Sequence, residues 1–212
     1  MSGSLPTSGA PVERYGSREG ADAYRRKHEE SWVRRIASRR ERILLDRHLR
    51  SVGDIESILD CPCGAGRFLA GAFEVTPRVL AFDRSPEMTR VARAQVPSAR
   101  FAVCDAAAIP LADNAVDVVI NMRLLHHIQG SEDRTRVFAE AARVARKAVI
   151  VSFADADTWK GRRTRSRRRP IPREQLTAEA AKAGLVLKTP MLSVSSLFSA
   201  FSFALFRVGE SG

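Results

Sequence analysis

The sequence has few cysteines and no long apolar run. Its three cysteines are an odd number, which argues against a disulfide scaffold and favours a reduced, cytoplasmic protein. A membrane-spanning helix needs about 18 consecutive apolar residues. The most apolar stretch, residues 191–208, contains five serines and is not such a run. Residues 1–12 lack the basic start and apolar centre of a signal peptide, so we expect none there.

The overall composition of the chain is typical of a soluble globular domain. Hydrophobic residues make up 44% of the chain and charged residues 28%, which excludes collagen-like and wholly disordered proteins. A length of 212 residues favours one domain over two. Residues 1–17 are rich in Ser, Gly and Pro and predict a mobile tail, and residues 18–212 predict a single folded domain.

The positive charge is concentrated in two segments. The net charge is +11, of which residues 25–50 carry +6 and residues 160–173 carry +8, so the rest of the chain sums to −3. Such runs are commonly solvated surfaces. The alternative is an anionic partner, which could be a phosphorylated or carboxylated substrate, nucleic acid or a membrane surface.

Strand-like and helix-like segments alternate along the chain and predict an α/β fold. A helical segment over about 18–50 precedes short apolar runs at 55–61, 78–82, 99–104, 116–121 and 148–153. Strands alternating with helices pair in parallel through right-handed crossovers, which gives a doubly wound sheet. Two further strands are predicted at 185–191 and 201–208. The segment between them is too short for a helical crossover, so we expect the last strand to be antiparallel.

A glycine turn after the first strand is the first sign of a ligand site. Gly64 and Gly66 follow that strand and open a helix, so the backbone can turn sharply and approach a ligand closely. Asp83 ends the next strand, where a carboxylate can accept both hydroxyls of a ribose. A nicotinamide dinucleotide site would need a third glycine, but Leu69 stands at that position.

Four blocks of sequence, taken together, identify a family. They are LDCPCGAGRF, AFDRSPEM, CDAAAIPLADNAVDVVI and NMRLLHHI, and they span residues 58–128. In order and spacing they resemble class I S-adenosylmethionine-dependent methyltransferases, in particular the small-molecule group that includes ubiquinone and menaquinone methyltransferases. The resemblance implies a Rossmann-like, seven-stranded, mostly parallel sheet with an antiparallel last strand. It also implies a helical cap (18–52), a cofactor-binding core (53–153), and a basic loop, helix and strand pair (154–212).

The resemblance also implies a role for each matching residue in binding S-adenosylmethionine, which leaves as S-adenosylhomocysteine. The methionine part is assigned to Asp60, Gly64 and Gly66, and the ribose to Asp83. The adenine is assigned to Asp105 and the backbone of Ala106, the space beneath the methyl group to Asn121, and an apolar wall to Met88. The family usually has glycine where Pro62 stands, which removes one backbone donor from the turn.

His126 and His127 follow the fourth strand and are the candidate catalytic residues. A histidine there can act as a general base near neutral pH, although packing is an equally good explanation of the pair. No metal is expected, because Cys61 and Cys63 form a C-x-C pair and no second pair exists. On the leading helix, Tyr24 and Trp32 are candidates to face the sulfonium, and Arg34 and Arg35 to pair with the cofactor carboxylate. Ordinary helix packing, with the arginine head groups reaching solvent, is the slightly favoured alternative for each of these residues taken singly.

The sequence leaves three functions open. The favoured one is methyl transfer to an anionic small molecule, because the two basic segments would flank one cleft. An RNA methyltransferase is the second, although aromatic residues for base stacking are sparse near the basic run. The third is a cofactor-binding regulator or membrane-surface module without turnover.

Overall fold

The structure, a computed structural model, describes residues 32–163, 169–194 and 199–209, with side chains from residue 36 onward. Helix α1 (Trp32–Val52) ends immediately before Gly53, whose φ of +96° suits a helix stop. The predicted tail and the first part of the leading helical segment lie outside the described residues. So do Tyr24 and the side chains of Trp32, Arg34 and Arg35. No helix in the described ranges is both long and apolar enough to cross a membrane.

A mixed β-sheet forms the centre of the described chain. Its strands are β1 (Ile58–Asp60), β2 (Val79–Asp83), β3 (Arg100–Val103), β4 (Val116–Met122), β5 (Ala145–Ala154), β6 (Leu185–Leu187), β7 (Leu192–Ser193) and β8 (Phe201–Val208). The order across the sheet is β3-β2-β1-β4-β5-β8-β6, and the two-residue β7 pairs with β8 outside this path. The seven strands of the path agree with the prediction. β7 is an addition that the sequence pattern did not indicate.

The strand directions give the sheet one functional edge. The pairs among β1 to β5 are parallel, whereas β8 runs antiparallel to both β5 and β6. The predicted antiparallel last strand is therefore confirmed. The carboxyl ends of β1 to β4 meet at one edge, where open α/β sheets bind their ligands.

Helices cover both faces of the sheet. They are α2 (Leu69–Phe73), α3 (Pro86–Gln95), α4 (Ser131–Val144), α5 (Trp159–Arg163) and α6 (Arg173–Lys182). The central strands β1 and β4 are buried along their whole length, as expected of a doubly covered parallel sheet. One core cluster includes residues of α4 and α6, and the other includes residues of α1 and α2. We call the edge where the carboxyl ends of β1 to β4 meet the site edge. The strands that form it are packed against helices on both faces of the sheet.

Candidate active site

The turn after β1 is held open by two glycines with different neighbours. Gly64 has a φ of +54°, and a Cβ placed there would meet no atom within 4 Å. Gly66 has a φ of +84°, and its Cβ would lie 3.2 Å from the Cβ of Ala92 in α3. Gly66 therefore permits close packing against α3, whereas Gly64 leaves open space at the edge of the sheet.

The loop is fastened to the neighbouring strands by backbone hydrogen bonds. Cys61 N donates to Ile120 O at 3.0 Å, and Cys63 N donates to Phe82 O at 2.8 Å. The peptide bond between Cys61 and Pro62 is cis. The missing donor of Pro62 is thus offset by anchors on both sides of it.

Asp83 braces this loop as well as facing the edge. Its Oδ2 accepts a hydrogen bond from Gly64 N and its Oδ1 accepts one from Ser85 N, both at 2.8 Å. Burial raises the pKa of Asp83, and the backbone donors, with that of Ser85 first, lower it in part. Each carboxylate oxygen retains a lone pair for a further donor. The loop brace was not evident from the sequence.

Three more side chains at this edge carry acceptor atoms without donors. Both carboxyl oxygens of Asp60, Oδ2 of Asp105 and Oδ1 of Asn121 are buried and have no hydrogen-bond partner among the described residues. These side chains stand at or just after the ends of β1, β3 and β4. Buried acceptors without partners are unfavourable, so a ligand rich in hydrogen-bond donors fits this edge.

Ionisation of the Asp60 carboxyl is costly in the folded protein. It is fully buried, and burial raises its pKa well above the ordinary aspartate value. The negative charge of Asp83 raises the pKa further, whereas Arg67 lowers it. A cationic partner at this position would relieve the cost of ionising Asp60.

Of the residues that the resemblance assigns to the adenosine, Asp105 and Ala106 line a cavity, whereas Met88 does not. A cavity is lined by Pro62, Arg84, Asp105, Ala106 and Leu124, together with Cys61, Cys104 and Ile128. Asp105 Oδ1 accepts from Ala107 N at 3.0 Å, which orients the carboxyl group. Met88 lies outside this lining and is buried in a cluster with Ala65 and Val91.

A buried ionic cluster ties α1 to the site edge. Glu41 on α1 accepts hydrogen bonds from Arg67, which follows the glycine turn, and from Arg123, which follows β4. Glu41 is 1% exposed, whereas the two arginine side chains are about one-fifth exposed. Arg123 has a φ of +59°, and its guanidinium lies 4.2 Å from the ring centre of Phe201. No pattern in the sequence indicated this cluster.

We expect Glu41→Gln to lower the free energy of unfolding by about 1–2 kcal/mol, because two partly buried arginines lose their shared counter-charge. Urea unfolding monitored by circular dichroism measures the loss. The matched control is Glu87→Gln, whose exposed ion pair with Arg90 should contribute only a few tenths of a kcal/mol. Equal effects of the two substitutions would contradict a structural role of the cluster.

His126 is buried, whereas His127 is partly exposed. His126 is 4% exposed, and its ring lies 5.1 Å from the ring centre of Phe201 in an edge-to-face arrangement. The rings of His126 and His127 are 4.1 Å apart. The ring contacts give His126 a packing role, and catalysis by either histidine stays a prediction.

Part of the basic run is committed to the fold. Arg173 donates to Asp155 Oδ2 at 2.8 Å and to Ser193 Oγ at 3.0 Å. Lys160, Arg162 and Arg163 lie on α5 beyond β5, whereas residues 164–168 fall outside the described ranges. Arg173 is therefore paired within the protein, which leaves one fewer positive charge of the run 160–173 available to an anionic substrate.

Comparison with known proteins finds similarity mainly in the central part of the chain. Residues 59–153 match the sequence model of a family described as a methyltransferase domain. A malonyl-(acyl-carrier protein) O-methyltransferase of Serratia marcescens is 31% identical over 99 residues, which is 47% of this chain and 38% of that protein. A tRNA (carboxymethyluridine(34)-5-O)-methyltransferase of Mus musculus is 27% identical over 51% of this chain and 16% of that protein. The chain spans well under half the length of these curated relatives.

A solved structure resembles nearly the whole chain. The magnesium protoporphyrin IX methyltransferase of Synechocystis PCC 6803, crystallised with bound SAM, gives a TM-score of 0.77 at 17% identity. The match covers 98% of this chain and 99% of that chain. The fold expected from the resemblance is therefore confirmed.

Proposed function

We propose that the protein is a class I methyltransferase that transfers a methyl group from S-adenosylmethionine to an anionic small molecule. The match of residues 59–153 to a methyltransferase-domain model supports this proposal. The observation that carries this proposal is the set of buried acceptor oxygens on Asp60, Asp105 and Asn121. The cofactor brings donors of the matching kind, namely an ammonium group, two ribose hydroxyls and an adenine amino group.

The residues of the edge fit the cofactor one group at a time. Asp60 would receive the ammonium group beside the open turn at Gly64, with Gly66 keeping that turn against α3. Asp83 would accept from the ribose hydroxyls, and Asp105, with the backbone of Ala106, would hold the adenine. Asn121 would lie beneath the methyl group, and Met88 would support the adenosine side from behind Ala65.

The protein's own contribution to the reaction is alignment and exclusion of water. When bound, S-adenosylmethionine supplies a methyl group that its sulfonium has already activated. The strand ends and the glycine turn hold the reacting centre in place, which lowers the entropic part of the barrier. The loop anchors at Cys61 and Cys63 keep this geometry fixed before the acceptor binds.

We propose further that the acceptor atom is a carboxylate oxygen and that the product is a methyl ester. Two curated relatives are named for O-methylation of malonyl and carboxymethyl groups, both of which carry a carboxyl. In this chain, Arg67 and Arg123 already converge on one carboxylate, that of Glu41, at the site edge. A carboxylate is ionised at neutral pH, so no general base is needed. His126 and His127 would serve as bases only for a hydroxyl acceptor.

The test uses the full chain, S-adenosylmethionine labelled in the methyl group, and fractions of cell extract. Labelling of a small-molecule fraction supports methyl transfer. Release of the label as methanol by mild alkali supports a methyl ester, whereas alkali-stable label would overturn the carboxylate assignment. Calorimetry with S-adenosylmethionine tests the cofactor assignment separately, and absence of binding would overturn it.

Arg123→Lys is expected to raise the acceptor KM about tenfold while the Kd for S-adenosylmethionine stays unchanged. Lysine keeps the charge but loses the planar fork that can hold a carboxylate with two hydrogen bonds. The matched control is Arg136→Lys on the outer side of α4, which should alter neither value. If the cofactor Kd rises instead, Arg123 holds the cofactor rather than the acceptor.

RNA methylation is the second candidate, because the chain carries a net charge of +11 and one relative acts on tRNA. Here the alkali-labile label would appear in the RNA fraction. Binding to RNA would also weaken steeply as the salt concentration rises.

A further inference from the structure

Helix α1 presents an unusual surface to solvent. Ile36 and Ile43 are 50% and 56% exposed, among the few large apolar side chains in the described chain that are this open. They are seven residues apart, which places them two turns apart on nearly the same line of the helix. Single exposed isoleucines are ordinary, but two aligned on one helix form a stripe.

Arginines flank this stripe on both sides. By helical position, Arg39 and Arg50 lie to one side of it and Arg40 and Arg47 to the other, and all four are exposed. Arg50 pairs with Asp46 on the same helix. Arg39, Arg40 and Arg47 form no salt bridge with any residue that the structure describes. We call these two isoleucines and four arginines the outer face of α1.

The outer face is not needed to attach α1 to the protein. The opposite side of the helix is buried through Leu45, Leu49 and Val52, which belong to the core cluster under the sheet. Glu41 adds the ionic link to the site edge. The helix is therefore docked by one side, and the isoleucines and arginines remain on the other.

A second exposed patch follows β5. Trp159 is 50% exposed, and the guanidinium of Arg163 lies 4.1 Å from the centre of its ring. Lys160 and Arg162 lie on the same short helix, α5. Since β5 is parallel to β4, α5 starts at the edge of the sheet that carries the candidate site. Helix α1 also reaches that edge, because its Glu41 accepts hydrogen bonds from Arg67 and Arg123 there.

We propose that the outer face of α1 binds the surface of an anionic phospholipid bilayer. The arginines match anionic headgroups in charge, and the isoleucines can enter the boundary between headgroups and acyl chains. A phosphate backbone would satisfy the arginines equally well but offers the isoleucines no apolar partner. The stripe therefore favours lipid over RNA. The contact is peripheral, and it does not depend on which molecule the enzyme methylates.

The experiment compares flotation of the full chain with vesicles of phosphatidylcholine alone and of phosphatidylcholine mixed with phosphatidylglycerol. Wild-type protein should float only with the mixed vesicles. Ile36→Ser combined with Ile43→Ser should weaken this binding about tenfold, because two side chains no longer enter the apolar boundary. Arg40→Ala combined with Arg47→Ala should weaken it at least as much, since each arginine contributes about a fivefold factor near an anionic surface.

The control pair is Val186→Ser on β6 and Arg136→Ala on α4, which remove an exposed apolar and an exposed basic side chain elsewhere. Both controls should float like the wild type, and all variants should bind S-adenosylmethionine unchanged. Equal binding to the two vesicle types, or no binding, would overturn the proposal. So would unweakened binding by the isoleucine variant, or RNA that displaces the protein from vesicles and binds that variant at full strength.

Discussion

Asp83→Ala is expected to weaken binding of S-adenosylmethionine about a hundredfold. The substitution removes the acceptors proposed for the two ribose hydroxyls, and hydrogen bonds to a charged group contribute about 1.5–3 kcal/mol. It also leaves Gly64 N without its acceptor, so the open turn loses the brace that holds it toward the ligand. Calorimetric titration with S-adenosylmethionine and with S-adenosylhomocysteine measures both effects together.

A second substitution makes a smaller change to the same carboxylate. Asp83→Asn can keep one carbonyl oxygen for Gly64 N or for the ribose, and it should therefore lose less affinity than Asp83→Ala. The matched control is Asp113→Ala, which removes an exposed carboxylate that pairs with Arg143 at the surface. Unchanged affinity in Asp83→Ala would refute the assignment of this edge as the nucleoside site.

Much of the fold was predictable from local patterns. The runs that became β1, β4 and β5 are rich in apolar residues and alternate with helix-like segments, so their pairing in parallel was expected from chain order. The methyltransferase resemblance is confirmed by the family match, whereas membership of the ubiquinone and menaquinone group stays a prediction. The two-residue β7 was missed because it has no periodicity of its own and exists only through pairing with β8.

The polar contacts at the site were less predictable, because they join residues far apart in the chain. Glu41 is separated from Arg67 by 26 residues and from Arg123 by 82, and only the packing of α1 brings them together. Phe201 reaches Arg123 and His126 because β8 returns antiparallel beside β5. The ends of parallel strands could be placed at one edge from sequence, but contacts made by the cap helix and the returning strand could not.

Asp60 at the end of β1 and Asp155 just after β5 allow the contribution of a buried carboxylate to stability to be compared with its contribution to ligand binding. Asp60 and Asp155 are both completely buried. Asp155 Oδ2 accepts from Arg173 and from Ser202 Oγ, at 2.8 and 2.5 Å, and its Oδ1 accepts from Asp157 N. Asp60 has no hydrogen-bond partner within the described part of the chain. The two carboxylates therefore respond in opposite ways to the same substitution.

Asp60→Asn is expected to raise the free energy of unfolding of the free protein by about 2 kcal/mol at neutral pH, because it removes a buried carboxyl whose ionisation the fold opposes. The same change should weaken S-adenosylmethionine binding about thirtyfold, since the ammonium group loses an ionised acceptor. Asp155→Asn should instead destabilise the protein, because Arg173 loses its counter-charge, and should leave cofactor affinity unchanged. Urea unfolding and calorimetry on the two variants provide the four values.

The pH dependence distinguishes this account from a simple packing effect. Burial, followed by the charge of Asp83, raises the pKa of Asp60 in the folded protein above its unfolded value of about 4. The folded state therefore binds this proton more tightly, and its stability declines as pH rises from the unfolded pKa to the raised one. Asp60→Asn should remove that part of the decline, so its advantage over the wild type should vanish below about pH 4. A stability difference that is independent of pH would mean that folding leaves the pKa of Asp60 unshifted, and it would contradict the cost that burial is expected to place on ionising this carboxyl.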